Sequence, residues 1–584
     1  MRVDREKIRI VLALFTAVLG AALVAAPTAR PQAAAGAEFD VILARGRIVD
    51  GTGAPWFRGD VGLQGDRIKA IGDLRAASAR QRIDASGLVI APGFIDMLGQ
   101  SEFCVLVDNR AASKITQGVT TEVTGEGTSI APVSERMIEE ASPVYKAFGI
   151  VADWRTLGEY FRRLEERVHP AINLATFVGA GGVRNCVIGE DNRPATPREL
   201  ERMKDLVAQA MEQGALGLSS SLQYMPDRFA STDELIALAG VAARSGGVYL
   251  THQRSEGNRI FESLQEVFTI AEKAGVLTEI WHLKTAYKAN WGKMPEVLDR
   301  IEAARAAGLD VTANQYPYIR ASNGLDSCLP LWAREGGIDK TIARLKDPAQ
   351  RARIKKEMDD PTVTAWENQW SGAGGGEGIL LVSVLNKDLK KYEGLNLAEI
   401  GRRLGEDPRD AVMDIVVADL GKSACVTSIM SEDDVRAALK HPLVSVCTDS
   451  EAAAEDGPLS GSRSHPRAWG TFPRILGKYV REEKLLRLEE AVRKMTSLPA
   501  SRVGIRDRGI LRPGMMADLA VFDPVTVRDM STFEDPGHYS VGMKYVFVNG
   551  RAVLAEGKIT AERPGRALRG PGYRPAGRPG PSSY

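Results

Sequence analysis

Apolar and polar positions follow two different rhythms along this chain. Phe39-Asp-Val-Ile-Leu43 and Arg47-Ile-Val-Asp50, then Asp60-Val-Gly-Leu63 and Arg67-Ile-Lys-Ala-Ile71, are short strand-like runs separated by Gly and Asp turn signals. Matching runs return near the other end, at Ala517-Asp-Leu-Ala-Val-Phe522, Tyr545-Val-Phe-Val-Asn-Gly550 and Ala552-Val-Leu554. Neither set has enough strands to be stable alone, so the pattern predicts one small β domain assembled from both ends of the chain.

Between these ends, strands alternate with helices. Val248-Tyr-Leu-Thr-His252 reads as a strand. The helix after it puts Ile260, Leu264, Val267, Phe268 and Ala271 on one face and stops at Gly275. Leu277-Thr-Glu-Ile-Trp-His282 is the next strand, and Val297, Leu298, Ile301 and Ala304 mark a helix ending at Gly308 before the strand Asp310-Val-Thr-Ala-Asn314. Repeated βα units predict a parallel sheet, and so many in one stretch favour a (β/α)8 barrel over a doubly wound open sheet. From about Asp326 to Gly378 the rhythm breaks into charged sequence that ends in Gly372-Ala-Gly-Gly-Gly376. That stretch is expected to be an insertion over the barrel mouth. The resulting division is 1–37 as signal and linker, 38–92 and 501–563 as the two parts of a β-sandwich, 93–500 as the barrel with an insertion at about 326–378, and 564–584 as a tail. The tail is dense in Pro, Gly and Arg and is expected to be disordered.

Composition narrows the function classes. The chain has 584 residues, 44% hydrophobic and 26% charged, with 76 Lys+Arg against 75 Asp+Glu. A net charge of +1 gives no reason to expect a nucleic-acid partner. The five cysteines, Cys104, Cys186, Cys328, Cys425 and Cys447, lie far apart, which excludes a disulfide scaffold and a four-cysteine zinc module. At the N-terminus, Arg2, Arg5, Lys7 and Arg9 precede the uncharged apolar run Ile10 to Ala26, in the manner of an export signal. Ala35-Gly36-Ala37 has the small-x-small form of a cleavage site. The expected location is periplasmic or secreted, with an N-terminal membrane anchor as the alternative.

The candidate chemistry sits at strand ends. Of six histidines, His252 and His282 close consecutive predicted strands. In a barrel, strand C-termini share one mouth, so both imidazoles could reach a single metal ion; a pair of hydrogen-bonded core histidines is the competing reading. Glu126 follows the strand Val119-Thr-Thr-Glu-Val-Thr124 inside the turn Gly125-Glu-Gly127, and Asp449 ends Leu443-Val-Ser-Val-Cys-Thr-Asp449. Two histidines and a glutamate make an open zinc site, and a nearby carboxylate completes a hydrolase by taking a proton from water. The alternatives for these two acids are a solvated loop glutamate and a helix N-cap. No Gly-x-Ser-x-Gly elbow is present, and Gly421-Lys-Ser423 has Val416 where a phosphate loop needs its first glycine.

The chain also resembles the D-aminoacylase (N-acyl-D-amino-acid deacylase) branch of the amidohydrolase superfamily, from about Phe39 to Thr560. The resemblance is carried by Ala91-Pro-Gly-Phe-Ile-Asp96, Gly118-Val-Thr-Thr121, Gly214-Ala-Leu-Gly-Leu-Ser-Ser220, Trp291-Gly-Lys293, Gln315-Tyr-Pro-Tyr318, His465-Pro-Arg-Ala-Trp-Gly-Thr-Phe-Pro473 and Arg512-Pro-Gly-Met-Met-Ala-Asp-Leu519. It implies a metal-dependent barrel with a composite β domain, and zinc on Glu126, His252 and His282. It further implies Asp449 as the catalytic base, Lys284 and Arg467 on the substrate's carboxylate, and Tyr224, Tyr316 and Ser322 as further contacts. One departure stands out. The superfamily's first-strand His-x-His is replaced by Leu98-Gly99-Gln100, in which Leu98 cannot bind a metal and Gln100 offers at most a neutral carbonyl oxygen. About one zinc per chain is therefore expected. The implied reaction is hydrolysis of a small N-acyl-D-amino acid. A dipeptidase or cyclic-amide hydrolase, and an exported binding protein without catalysis, are the rivals.

Overall fold

A computed structural model describes residues 38–460 and 463–575. The segment expected to be an export signal, and the last residues of the expected tail, lie outside the described residues.

The middle of the chain closes into a parallel barrel. Its strands are β1 (Phe94–Asp96), β2 (Val119–Thr124), β3 (Asn173–Thr176, continued by Val178–Gly179), β4 (Gly217–Ser221), β5 (Val248–His252), β6 (Thr278–Ile280), β7 (Val311–Gln315) and β8 (Val444–Val446). All are buried along their whole length, although β2, β4 and β7 carry buried Thr, Ser, Glu, Asn and Gln among their apolar residues. β3 changes partner at Phe177: its first half pairs with β2 and its second with β4. The ring closes between β8 and β1 through the parallel bridge Gly99↔Ser450, where Asp449 N donates to Leu98 O at 2.7 Å and Gln100 N to Ser450 O at 3.1 Å. The helix Ile260–Ala274 buries Ile260, Leu264, Val267 and Ala271 beside Ile280 and Val311 and ends at Gly275, whose φ of +61° makes a left-handed cap.

Both chain ends join in one nine-stranded sheet, with Val89–Pro92 and Leu519–Phe522 paired antiparallel at its centre. Apolar clusters cover both faces, one around Leu43, Val61 and Leu519, the other around Phe39 and Ile42. The runs read as two strands at 39–43 and 47–50 are a single strand, Phe39–Ile48, with an irregularity between Leu43 and Gly46 and a positive φ at Arg45.

Two expected boundaries are corrected. The insertion between β7 and β8 is longer than 326–378. Ala321–Gly324, Ala424–Thr427 and Ile379–Ser383 form their own antiparallel sheet, over a separate core that includes Leu325, Ile354, Ile400, Val412 and Cys425. The sequence after Gly378 imitates the barrel because an apolar strand is followed by helices at Leu397–Leu404 and Pro408–Ala418. Its strand nevertheless pairs outside the ring. The second correction concerns the tail, of which residues 564–575 are ordered. Leu174 N donates to Arg566 O (2.9 Å), Leu568 N to Leu174 O (2.7 Å) and Gly570 N to Gly214 O (2.9 Å), while Arg569 pairs with Glu165 at 2.7 Å. This segment builds no core of its own; it is held by backbone groups beside β3 and just before β4. Among the described residues no helix is long and apolar enough to cross a membrane.

Candidate metal centre and active site

The C-terminal ends of the strands open into a cavity of about 330 Å³. All nine residues singled out from the sequence line it: Glu126, Tyr224, His252, His282, Lys284, Tyr316, Ser322, Asp449 and Arg467. They arrive by backbone geometry. Gly125 turns the chain at the end of β2 with φ +96°, and a Cβ there would lie 2.6 Å from Thr176 Oγ1, so only glycine delivers Glu126 to the mouth. His282 and Asp449 themselves hold positive φ, +36° and +49°, an uncommon conformation for non-glycine residues that is found at sites where position matters more than comfort. Asp449 caps no helix; β8 is followed by irregular chain.

Three side chains converge. Glu126 Oε1 lies 3.1 Å from His252 Nδ1 and 3.2 Å from His282 Nε2. Among the described residues this is the group of acids and imidazoles whose ligand atoms lie within 4.8 Å of one another. Burial would raise the Glu126 carboxyl, but the two imidazoles outweigh it and hold the group well below the usual carboxylate range. A set of one carboxylate and two nitrogens facing a cavity fits zinc with open coordination positions. The buried His252 Nε2 has no hydrogen-bond partner and lies 3.7 Å from Glu256 Oε2, so a metal on Nδ1 would leave Nε2–H facing a carboxylate. The donor set fits the ion.

Glu256 was missed by sequence reasoning. It is buried, its Oε1 lies 2.5 Å from Lys284 Nζ and 3.0 Å from His282 Nδ1, and it ties both histidines to the lysine. Burial opposes its charge, yet Lys284, His252 and His282 hold it far below the ordinary range. It follows β5 in irregular chain, four residues after His252, where no periodicity marks it.

The proposed clamp residues are both present and both already neutralised. Arg467 Nη1 sits 2.7 Å from Asp449 Oδ2, while its buried Nε has no partner. Tyr316 enters as a ring beneath these cations, 4.6 Å from the Arg467 guanidinium and 5.6 Å from Lys284 Nζ; its hydroxyl reaches Met430 Sδ. Tyr224 donates to Asn323 Oδ1 at 2.6 Å, and Asn323 and Ser322 come from the first strand of the insertion, which therefore roofs the cavity. Cys447 is wholly buried and absent from the lining.

Residues 81–554 match the amidohydrolase family model. A D-aminoacylase of Alcaligenes xylosoxydans xylosoxydans is 35% identical over 91% of this chain and 97% of its own length. Among solved structures, N-acyl-D-glutamate deacylase from Bordetella bronchiseptica, complexed with zinc and a phosphonate mimic of the tetrahedral intermediate, is 32% identical with a TM-score of 0.76, covering 91% of this chain and 99% of that one. A D-aminoacylase with a binuclear metal centre, in which one metal activates and the second attenuates, is 35% identical with a TM-score of 0.75, covering 91% of this chain and 100% of that one.

Proposed function

This chain belongs to the amidohydrolase family, and from that premise we propose that it hydrolyses the amide of N-acyl-D-amino acids, releasing a carboxylate and a free D-amino acid. The convergence of Glu126, His252 and His282 at the mouth of the barrel is the observation that carries the reading. Zinc held by those three residues supplies Lewis acidity toward the acyl carbonyl and toward water.

The protein's own groups do the rest. Asp449 accepts the proton of the attacking water as the new carbon–oxygen bond forms, and then returns it to the amine nitrogen as the carbon–nitrogen bond breaks. Arg467 fixes Asp449 Oδ2, which leaves the other carboxylate oxygen for the proton. The free Nε–H of Arg467, with Lys284, binds the substrate's carboxylate and sets the register of the scissile amide. Relatives that act on D-amino-acid derivatives support the D configuration.

The decisive experiment combines elemental analysis with turnover of matched N-acetyl-D- and L-amino acids. Zinc in the protein and hydrolysis of the D series are expected. Turnover of dipeptides or cyclic amides instead would move the protein to another amidohydrolase reaction, and zinc without turnover would leave a binding protein. The segment from Arg2 to Ala37 supports export of the mature protein, which intact-mass measurement on native cell-envelope fractions would test.

A further inference from the structure

We infer that Gln100 occupies, with its amide, the place at Glu126 that a second metal would need, and so restricts the centre to one ion. The inference rests on the reading that zinc binds Glu126, His252 and His282. Glu126 has two oxygens with different tasks. Oε1 faces both imidazoles, whereas Oε2 receives Gln100 Nε2 at 2.6 Å. A carboxylate oxygen only accepts, so the end of Gln100 that meets it is the NH₂ and not the carbonyl. Gln100 thus acts toward this site as a donor. The carbonyl ligation open to it on sequence grounds is turned away.

The surrounding backbone keeps the amide in place. Gln100 N donates to Ser450 O (3.1 Å) and Leu98 O accepts from Asp449 N (2.7 Å), so residues 98–100 are stitched to β8 at the closure of the barrel. Between them Gly99 lies against Glu122; a Cβ at 99 would stand 1.8 Å from Glu122 Oε1. Leu98 is fully buried and apolar and offers a cation nothing. A second ion bridging through Oε2 would have to break a charge-assisted hydrogen bond and would find no replacement ligand from Leu98. The same bond orients the carboxylate so that Oε1 is the oxygen presented to the histidines. Gln100 is therefore a positioning residue: it orients Glu126 without a second metal. The binuclear D-aminoacylase, in which the second metal attenuates activity, makes the consequence specific. This chain should hold one ion and lack attenuation by excess zinc.

The test uses the whole zinc-loaded protein and reads metal as well as rate. After dialysis the wild type should retain one equivalent of zinc, and its activity should stay level as free zinc is raised. In chelator competition, Gln100→Leu should weaken zinc binding by roughly tenfold to a hundredfold, the range for losing a group that orients a ligand, with the thermal midpoint of the metal-free protein unchanged. Leu98→His with Gln100→His should take up a second equivalent. Two tightly held equivalents in the wild type would overturn the inference and leave the zinc reading intact. Unchanged zinc affinity in Gln100→Leu would remove the orienting role. No bound zinc in the wild type would remove the underlying reading itself.

Discussion

The two flanks of Glu126 present it with different chemistry on the same architecture. On one, β5 ends in His252 and β6 is followed by His282, backed by the buried pair of Glu256 and Lys284. On the other, β1 is followed by Leu98, Gly99 and Gln100, an apolar side chain, a bare backbone and a neutral amide. Both flanks are strand ends opening on one cavity, so barrel geometry alone does not choose where a cation sits. The choice is made by which flank carries ligands and by what holds those ligands in their orientation. Asp449 and Arg467 stand at the joint between the flanks, where β8 closes on β1.

The largest effect should come from that joint. Asp449→Asn keeps shape and hydrogen bonding but cannot accept the water proton, so kcat should fall by roughly two to four orders of magnitude. Zinc content should be unchanged, because the three converging ligands do not include Asp449. Loss of zinc together with rate would move Asp449 into the ligand set and erase its separate role.

Next is the charged flank. Glu256→Gln removes the carboxylate behind His282 and Lys284 while keeping its volume. Zinc affinity should drop by roughly tenfold to a hundredfold, as measured by competition with a chromogenic chelator. If affinity holds and only KM rises, Glu256 serves Lys284 and the substrate rather than the metal.

At Gly99, on the neutral flank, the response should be in stability. Gly99→Ala drives a methyl toward Glu122, whose carboxyl burial and the neighbouring Asp96 push up to about 7 despite Lys114. Overpacking at such a place costs about 1–3 kcal/mol. Denaturant unfolding of the metal-free protein should show that loss, and wild-type stability would mean that residues 98–100 yield more easily than their hydrogen bonds to β8 imply.

How far the sequence reached differs by flank for physical reasons. His252, His282 and Asp449 were legible because each ends an apolar run, and strand C-termini converge in any such barrel. Glu126 was legible because glycines bracket it. Glu256 was not, since it lies in irregular chain and acquires its partners only when β6 pairs with β5. The donor role of Gln100 was equally hidden, because its composition is the same whether its carbonyl or its NH₂ faces the site. In the fold, the insertion was found but cut short, as its second half keeps a βα rhythm while pairing antiparallel. The tail was misjudged because backbone hydrogen bonds such as that from Leu568 to Leu174 leave no trace in hydrophobic pattern.

The smallest expected effect is also the one that best separates binding from support. Arg467→Ala removes a partner of the substrate carboxylate, but Lys284 remains on the same cavity wall, so KM should rise only by about tenfold, near the value of one charge-assisted hydrogen bond. The complication is the 2.7 Å contact between Arg467 Nη1 and Asp449 Oδ2, through which the same substitution could disturb the base. A substrate whose carboxylate is converted to an amide distinguishes the two. If Arg467 acts on the substrate, the variant and the wild type should differ little on the amide, because neither has a carboxylate to hold. If Arg467 acts mainly by fixing Asp449, kcat should fall equally on acid and amide. A KM defect confined to the acid would place Arg467 Nε–H at the substrate. An equal kcat defect on both would assign Arg467 to the support of Asp449 and leave Lys284 as the carboxylate's principal partner.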